Sequence, residues 1–415
     1  MSEILLANIG YLFTASGGPR RGAALAETTA AVGDALLVRD GLIAALGPHG
    51  QIERQATAGC EVLDCAGRLV TPGLVDSHTH LIYGGNRADE YEMRLRGAPY
   101  LEIFEAGGGI HSTVRQTQAA AEDDLLAAAR RRAGVMVRHG VTTAEVKSGY
   151  GLTTNSELKI LRVADRLHRE GPLEIVPTFM GAHALPVEYG NRRADFINLV
   201  CEEMIPAVKA AGLARFADVF CDRGAFTLTE TERVFAAARA AGLGLRVHAD
   251  EFEALGATEM AAAAGAASAD HLAVITGAGI RTLAASRTVA TLLPGTTVFL
   301  GSPHFAPARG LIAAGAIVAI GSDHNPGSCH AASLRAVLTP AASFLKLRAT
   351  EILHAITINA AYSLGLDGRV GSLEPGKEAD IAIFDVATPA ELLYEWGPVD
   401  AWATLKRGRL VHRAL

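Results

Sequence analysis

The segment Leu69-Val-Thr-Pro-Gly-Leu-Val-Asp76-Ser-His78-Thr-His80 joins a mostly apolar run, rich in strand formers, to two histidines directly after it. Such a run is typical of a buried strand. Side chains two residues apart on an extended chain project from the same side, so both imidazoles can reach one metal ion. Taken alone, a His-x-His pair is as often two polar loop residues. The segment therefore predicts a strand end that becomes a metal site only if other ligands converge on it.

Seven more apolar segments follow this one and alternate with helical segments. The eight predicted strands are 69–76, 141–146, 174–180, 216–220, 244–248, 268–272, 288–293 and 317–322. Alternating strands and helices predict an α/β protein with a parallel sheet, and eight such units predict a closed (β/α)8 TIM-like barrel. The active site of such a barrel lies at the carboxyl ends of its strands.

Further metal-ligating side chains stand at the ends of these predicted strands. His248 ends the fifth strand, His271 ends the sixth, and Asp323 follows the eighth. Histidines with only a packing role would not be confined to strand ends, so the pattern favours one site built from several strands. Other histidines fall in helices, turns or the chain ends, and we interpret them as surface or packing residues: His49, His139, His168, His354 and His412.

The two ends of the chain differ from this block. Residues 4–63 contain short strands and Gly turns, beginning with a predicted buried strand at 4–13, and residues 371–413 contain strands again, including 380–384. A chain of 415 residues also exceeds the usual size of a single core. We therefore predict a composite β-sandwich domain of 1–68 with 367–415, beside a catalytic barrel of 69–366.

The composition is that of a globular protein, with 49% hydrophobic and 20% charged residues. A formal net charge of -6 gives no general attraction to phosphate backbones or anionic lipid, so we expect neither nucleic acid nor membrane partners. The first residues carry Glu3 and no basic residue before Arg20, unlike a signal peptide. Five widely spaced cysteines, an odd number, predict reduced thiols and a soluble cytoplasmic protein.

The run from Thr71 to Asp76 that leads into the two histidines, together with Gly371-Ser-Leu-Glu-Pro-Gly-Lys-Glu-Ala-Asp380, resembles the metal-dependent amidohydrolase superfamily. Finer motifs resemble one family within it, the imidazolonepropionases, and they follow the order of that family along the whole chain. These motifs are Tyr83-Gly-Gly-Asn-Arg87-Ala, Tyr100-Leu-Glu-Ile-Phe-Glu-Ala-Gly-Gly-Gly109, Glu145-Val-Lys-Ser-Gly-Tyr150-Gly-Leu, Gly181-Ala-His183, His248-Ala-Asp-Glu251-Phe, Ser268-Ala-Asp-His271-Leu and Asp323-His-Asn325-Pro-Gly327-Ser328.

The resemblance implies one divalent metal ion per chain, zinc or iron, either Fe2+ or Fe3+, and its ligands are His78, His80, His248 and Asp323. Three imidazoles and one carboxylate suit zinc and iron alike. Two-metal relatives bridge their ions with a carboxylated lysine at the end of the fourth strand. Here that strand runs from Asp218 to Asp222 without a lysine, and Lys147 follows the second strand, where we predict a structural ion pair.

The implied reaction is hydrolysis of the ring carbon–nitrogen bond, a cyclic amide, of 4-imidazolone-5-propanoate to N-formimidoyl-L-glutamate, a step of histidine degradation, by a metal-activated water. The resemblance assigns Asp323 the role of taking the proton and passing it to the leaving nitrogen. His271 would orient Asp323 or polarise the carbonyl. Glu251 would bind the ring nitrogens or assist the water; the alternative is that it only supports a metal-binding histidine.

For the substrate, the resemblance implies that Arg87 grips the propanoate through two parallel hydrogen bonds. Tyr150 and His183 would contact the ring or the product, with His183 also among the catalytic residues. The family also implies a homodimer. Hydrogen bonds beside the metal are expected from Asn325, Gly327 and Ser328. Two positions depart from the family pattern: His324 stands where an apolar aromatic residue is usual, and Ser77 where proline is common.

Two other functions remain open at this point. Another amidohydrolase chemistry, such as deamination of a cyclic amidine like a nucleobase, would use the same ligands, but a neutral base would not require Arg87. A non-catalytic scaffold with the same fold is the second alternative, and the complete set of four predicted ligands argues against it. Metal content and turnover of the carboxylate substrate separate the three possibilities.

Overall fold

The computed structural model of the chain describes residues 3–30, 33–98, 108–397 and 399–414. Within them it confirms the predicted architecture, an eight-stranded parallel barrel with helices around it and a small domain built from both chain ends. The motif predicted from Tyr100 to Gly109 lies outside the described residues, apart from its last two glycines. None of the described helices is both long and apolar enough to cross a membrane.

The described strands fall into three sheets. In chain order they are β1 (Glu3–Ala7), β2 (Tyr11–Leu12), β3 (Ala35–Arg39), β4 (Leu42–Gly47), β5 (Glu61–Asp64), β6 (Leu69–Pro72), β7 (Leu74–Asp76), β8 (Val141–Lys147), β9 (Glu174–Ala182), β10 (Phe216–Cys221), β11 (Gly244–Ala249), β12 (Ser268–His271), β13 (Val289–Leu292), β14 (Val318–Ile320), β15 (Ile381–Phe384), β16 (Ala403–Lys406) and β17 (Arg409–Arg413).

Helices connect the barrel strands and cover the outside of the barrel. The α-helices are His49–Ile52, Ala88–Leu95, Ile110–Ala119, Glu122–Arg138, Thr154–Glu170, Arg193–Leu199, Ile205–Ala211, Leu228–Ala240, Ala257–Ala263, Gly277–Ala285, Pro294–Phe299, Ala308–Ala314, Leu338–Ser343, Ala349–Ala355, Ile358–Ser363 and Pro389–Tyr394. A π-helical turn covers Val200–Met204, and 3-10 turns cover Gly22–Ala26, Glu53–Gln55, Val187–Tyr189 and Leu334–Val337.

The barrel sheet runs from β7 to β14 in chain order, with every neighbouring pair parallel. Its first and last strands meet beyond their ends, where Thr79 bridges to His324. There the Asp323 N–H donates to the His78 carbonyl at 3.0 Å, and the His80 N–H donates to the His324 carbonyl at 2.9 Å. The closure therefore lies at the level of the predicted ligands and ties their backbones together.

The first predicted strand, 69–76, is wrong as a single element, because it breaks at Gly73. The part before the break is β6, which joins a sheet of the small domain, and only β7 belongs to the barrel. A Cβ atom at Gly73 would lie 2.3 Å from the Thr142 hydroxyl oxygen, so only glycine lets the chain pass there. The Gly73 N–H then donates to the Asp380 carbonyl of the small domain at 2.8 Å.

The predicted strand at 4–13 is also divided, into β1 and β2. Between them Asn8 takes a left-handed backbone conformation with φ 54°, which asparagine tolerates better than most residues. A Cβ atom at Gly10 would lie 2.0 Å from the Gly67 carbonyl oxygen. The chain therefore turns here and enters a second sheet.

The small domain is two sheets packed face to face. One has the order β4-β3-β1-β5 and the other β17-β16-β15-β6-β2. Their apolar faces form one buried cluster that includes Leu6 and Leu36 from the first sheet and Ile381, Ile383 and Leu405 from the second. The predicted sandwich of both chain ends is thus present, while the domain limits at 68 and 367 stay a prediction.

Candidate active site

Four side chains meet at the carboxyl end of the barrel. His78 and His80 follow β7, His248 lies near the end of β11, and Asp323 follows β14. Asp323 Oδ1 lies 3.4 Å from His78 Nε2 and 3.6 Å from His80 Nε2. His248 Nε2 lies 3.3 Å from His80 Nε2. The structure therefore brings together the four residues for which the sequence predicts a metal-binding role.

Two carboxylates set the direction in which two of the predicted ligand histidines point. His78 Nδ1 lies 2.7 Å from Asp270 Oδ2, and His248 Nδ1 lies 2.9 Å from Asp218 Oδ1. A ring N–H that donates to a carboxylate leaves the other nitrogen as an acceptor. Burial, aided by the positive charge of Lys147, lowers the pKa of both histidines well below the usual value. Both rings are thus neutral and direct the Nε2 lone pair toward the centre of the site.

This arrangement fits a divalent metal ion. The Nε2 atoms of His78 and His248 and the Oδ1 atom of Asp323 are all acceptors, and the described residues offer His78 Nε2 no hydrogen-bond partner. Burial raises the pKa of Asp323 to about 7, so its charged form needs a nearby cation. Lone pairs that converge without a donor favour a cation between them. His78, His248 and His271 also have ligand atoms within 4.8 Å of one another, so His271 borders the same position.

A layer of charged residues fills the barrel directly beneath the histidines. Lys147 Nζ donates to Glu145 Oε1 at 2.8 Å and to Asp218 Oδ2 at 2.7 Å, which confirms the predicted ion pair. Arg246 lies 3.4 Å from Asp270 Oδ2. These five side chains are fully buried, where (β/α)8 barrels usually hold branched apolar residues.

Glu251 and His271 lie at one side of the metal-ligand cluster, with Glu251 Oε1 3.7 Å from His271 Nδ1. Burial, together with the negative charges of Asp323 and Asp222, raises the pKa of Glu251 well above its usual value. Asp222 also holds the loop that carries Glu251, because its carboxylate accepts the backbone N–H groups of Glu251, Phe252 and Glu253. A carboxyl group whose charged form is disfavoured by burial thus lies beside the cluster.

Two rings form the opposite wall. His183 stacks on His80 with ring centroids 5.0 Å apart, and Tyr150 lies 5.2 Å from the His183 ring. His183 Nδ1 lies 3.1 Å from the Gly149 carbonyl oxygen. Gly149 has φ 98°, and a Cβ atom there would lie 2.8 Å from His183 Nδ1, so glycine is required. A cavity of about 700 Å³ opens beside His183 and is also lined by Phe220.

Arg87 lies in the loop between β7 and the helix Ala88–Leu95 and is largely buried. Its guanidinium group donates from Nε to Glu90 Oε2 at 2.8 Å and from Nη2 to Glu90 Oε1. Burial raises the pKa of Tyr150, and the positive charge of Arg87 opposes that rise. Arg87 is therefore close enough to Tyr150 to affect its pKa.

Comparison with known proteins places this geometry in a family. Residues 69–413 match the family model described as the amidohydrolase family. The chain is 45% identical to imidazolonepropionase of Symbiobacterium thermophilum, over 99% of this chain and 97% of that one. It is 43% identical to imidazolonepropionase of Bacillus velezensis, again over 99% of this chain and 97% of that one. The chain belongs to the imidazolonepropionase family.

Solved structures share the fold at low sequence identity. Guanine deaminase of E. coli has a TM-score of 0.75 at 16% identity, with all of both chains covered. An adenosine deaminase from Xanthomonas campestris, solved with bound zinc, has a TM-score of 0.72 at 18% identity, covering 99% of this chain and 92% of that one. At these identities the likeness concerns the fold alone.

Among the residues expected from the imidazolonepropionase pattern, Asn325 makes its hydrogen bonds within its own loop. Its Oδ1 accepts the N–H groups of Gly327 and Ser328, and its Nδ2 donates to the Asp323 carbonyl at 2.8 Å. These three residues shape the turn that follows Asp323. Their direct hydrogen bonds to a substrate stay a prediction.

The two departures from the imidazolonepropionase pattern are both buried. His324 directs Nε2 to the Tyr83 hydroxyl oxygen at 3.3 Å, whereas the ligand atoms near His78 and His80 include the Asp323 carboxylate. Its neighbour Asp323, not His324, therefore belongs to the converging set. Ser77 contributes its backbone carbonyl, which accepts from Arg246 Nη2 at 2.8 Å.

The sequence interpretation overlooked the roles of Asp218 and Asp270 as partners of the ligand histidines. A signal was available in the two-residue spacing along the strands. Arg246 and His248 alternate on β11, and Ser268 and Asp270 alternate on β12, so polar side chains repeatedly point into the barrel. The spacing does not show which carboxylate contacts which histidine.

Proposed function

We propose that this protein hydrolyses the ring carbon–nitrogen bond of 4-imidazolone-5-propanoate to N-formimidoyl-L-glutamate, a step of histidine degradation. The observation that carries the proposal is a buried set of acceptor atoms, His78 Nε2, His248 Nε2 and Asp323 Oδ1. It occurs in a chain that also carries Arg87 and whose relatives are named imidazolonepropionases. The set suits metal-dependent hydrolysis, and Arg87 suits a carboxylate substrate.

The metal would be one divalent ion, zinc or iron, held by His78, His80, His248 and Asp323. When bound, it acts as a Lewis acid that lets water lose a proton near neutral pH. A single ion is supported by β10, which has no lysine to carboxylate. Lys147, at the end of β8, is already paired with Glu145 and Asp218.

Asp323 is suited to move the proton of the attacking water. Its Oδ2 accepts the Thr296 hydroxyl at 2.5 Å, while its Oδ1 faces the histidine cluster. Oδ1 can therefore accept a proton and return it to the ring nitrogen as the carbon–nitrogen bond breaks, a transfer that typically contributes ~10²- to 10⁴-fold.

Glu251, His271 and His183 surround the position where the ring would lie. Burial raises the pKa of Glu251, which favours the O–H form that would donate to a ring nitrogen. His271, beside Glu251, would polarise the ring carbonyl or orient Asp323. His183 and Tyr150 would pack against the ring, and Arg87 would bind the propanoate.

As part of the same proposal, the protein lies in the cytoplasm and forms a homodimer. All five cysteines are free, as in proteins of reducing compartments. The substrate is a small molecule and needs no macromolecular partner.

The competing function is deamination of a nucleobase, which the fold would also accommodate. Arg87 argues against it, because a neutral base presents no carboxylate. The test is to supply the zinc- or iron-loaded protein with fresh 4-imidazolone-5-propanoate and, separately, with guanine, adenine and cytosine. We expect loss of the imidazolone absorbance and no ammonia from the bases. Ammonia release from a base, without imidazolone turnover, would overturn the proposal.

A further inference from the structure

The guanidinium group of Arg87 has two edges that can each bind a carboxylate, and Glu90 occupies one of them. Glu90 Oε2 accepts from Nε at 2.8 Å and Glu90 Oε1 accepts from Nη2, so the side edge of the guanidinium is bound at both of its nitrogens. The two side chains are only 15% and 10% exposed. This pair is therefore a largely buried, two-point ion pair, which is stronger than the usual surface contact.

Glu90 is itself fixed from a second direction. Its Oε2 also accepts the backbone N–H of Gly109 at 2.7 Å, immediately before the helix Ile110–Ala119. Glu90 lies in the first turn of the helix Ala88–Leu95, three residues after Arg87. The carboxylate is thus held by its own helix and by a separate part of the chain, and it in turn holds Arg87.

On the other edge of the guanidinium, made by Nη1 and Nη2, only the Nη1 end lies against Gly327 of the loop that follows Asp323. A Cβ atom at Gly327 would lie 1.9 Å from Nη1 and 3.4 Å from Nη2 of Arg87. Any larger residue would therefore displace the guanidinium group. In the part of the chain that the structure describes, Nη1 contacts no carboxylate, and this edge borders the turn next to the predicted metal ligand.

We propose that Glu90 is a positioning residue that binds the side edge of Arg87 and thereby presents the end edge, Nη1 and Nη2, to the propanoate of the substrate. The inference rests on the proposed function, since it concerns how the substrate carboxylate is held. One guanidinium group can bind two carboxylates in its plane, because Nη2 carries two hydrogens, one on each edge. The substrate carboxylate therefore binds to the end edge of Arg87, a mode that we call end-on, and the orientation of that edge depends on Glu90.

The proposal predicts a specific loss of orientation when the Glu90 charge is removed. Glutamine has the same size but only one acceptor oxygen, and its NH2 group cannot accept the second guanidinium N–H, so the guanidinium group can rotate away from the end-on position. Remote contacts of this kind align the reacting carbonyl, so the carboxylate substrate should lose efficiency while a neutral analogue should not.

The experiment compares Glu90→Gln with the wild-type full chain, both loaded with zinc. We would measure kcat and KM for 4-imidazolone-5-propanoate and for its neutral propanamide, and Kd for 3-(imidazol-4-yl)propanoate and its amide. The expected result is that the preference for carboxylate over amide falls about tenfold in both measurements. Glu92→Gln is the matched control, because Glu92 lies on the same helix and pairs with exposed Arg96 at 2.9 Å; its preference should not change.

Any other result of this experiment contradicts either the role of Glu90 or the proposed function, and the two cases can be told apart. An equal loss for carboxylate and amide would reduce Glu90 to a structural role. Tighter binding of the carboxylate in Glu90→Gln would mean that Glu90 competes with the substrate for Arg87. If the wild-type chain bound the carboxylate ligand with the expected preference but hydrolysed neither substrate, the proposed function would fail while the role of Glu90 would stand. Glu90→Asp, which restores the charge, should recover part of the preference.

Discussion

The Nε2 atoms of His80 and His248 lie 3.3 Å apart in a buried site, and the Nδ1 of His248 is already paired with Asp218. A neutral imidazole in that state has only a lone pair to offer at Nε2. The contact is therefore favourable when a cation lies beside both rings, or when His80 Nε2 carries the hydrogen and donates to His248.

The first prediction is that His248→Ala loses the metal and at least 10³-fold in turnover while the barrel remains folded. The ligands sit at the strand ends, so the packed elements around the barrel do not depend on the imidazole. Metal analysis and circular dichroism of the purified variant test this. His49→Ala, a partly exposed histidine of the small domain, is the control and should retain metal and activity. Full activity in His248→Ala would place the site elsewhere.

The second prediction concerns the carboxylates behind the ligands. Asp218→Asn should weaken metal binding by roughly 10- to 100-fold, because it removes the charge that holds the His248 ring and one partner of Lys147. A titration against a competing chelator measures the affinity. Asp165→Asn, on an exposed helix where Asp165 pairs with Arg169, is the matched control. Unchanged affinity in Asp218→Asn would show that the carboxylate only fills the barrel.

The third prediction is that Arg87→Lys lowers kcat/KM for 4-imidazolone-5-propanoate by roughly ten- to a hundredfold. Lysine keeps the charge, but its ammonium cannot hold Glu90 and the substrate carboxylate in one plane. Kinetics at equal metal content provide the measurement, with Arg96→Lys on the same helix as control. If both Arg87→Lys and Arg87→Ala kept full efficiency, some other residue would bind the propanoate.

The fourth prediction is a pH-dependent loss of stability at the amino end of the barrel. Burial alone would raise the pKa of Glu174. The positive charges and hydrogen bonds of Lys406 and Arg369 outweigh burial and lower the pKa from 4.5 to about 2. The ionised carboxylate therefore stabilises the fold above about pH 4.5, and this contribution, roughly 3 kcal/mol, is lost as the pH falls toward 2. Glu174→Gln should thus lower the Tm clearly at pH 7 and by about half as much or less at pH 3.

Thermal unfolding at the two pH values measures this difference. Glu92→Gln, which removes an exposed ion pair, should have little effect on the Tm at either pH. A Tm deficit of Glu174→Gln that was equal at pH 3 and pH 7 would contradict the assigned charge state of Glu174.

The barrel could be predicted from the alternation of strands and helices. The positions of the predicted metal ligands could be inferred because these residues lie at the ends of strands. His248 and His271 could be placed from the end of an apolar run, and the resemblance of the surrounding motifs supplied the set to which they belong. The sequence also indicated correctly that Lys147 forms an ion pair, since no lysine follows the fourth strand. These inferences use local pattern, chain order and that resemblance.

The charged layer and the break at Gly73 could not be predicted in the same way. Whether Asp218 binds a histidine, a lysine or water depends on the stagger between neighbouring strands, which the spacing within one strand does not define. The run from Leu69 to Asp76 has one continuous apolar pattern, and the reason for its division is the Thr142 side chain of another strand. Likewise, an arginine in a loop can be either solvated or paired. Arg87 pairs with Glu90 because both groups are largely buried, which the sequence does not show.

The most direct test of the central claim is turnover of 4-imidazolone-5-propanoate by the metal-loaded protein, followed by absorbance with the product identified by mass spectrometry. The account predicts that the imidazolone is consumed, that N-formimidoyl-L-glutamate appears in equal amount, and that chelation stops the reaction until zinc or iron is restored. Persistence of the imidazolone, beyond its spontaneous decay, with fully metal-loaded protein would contradict it.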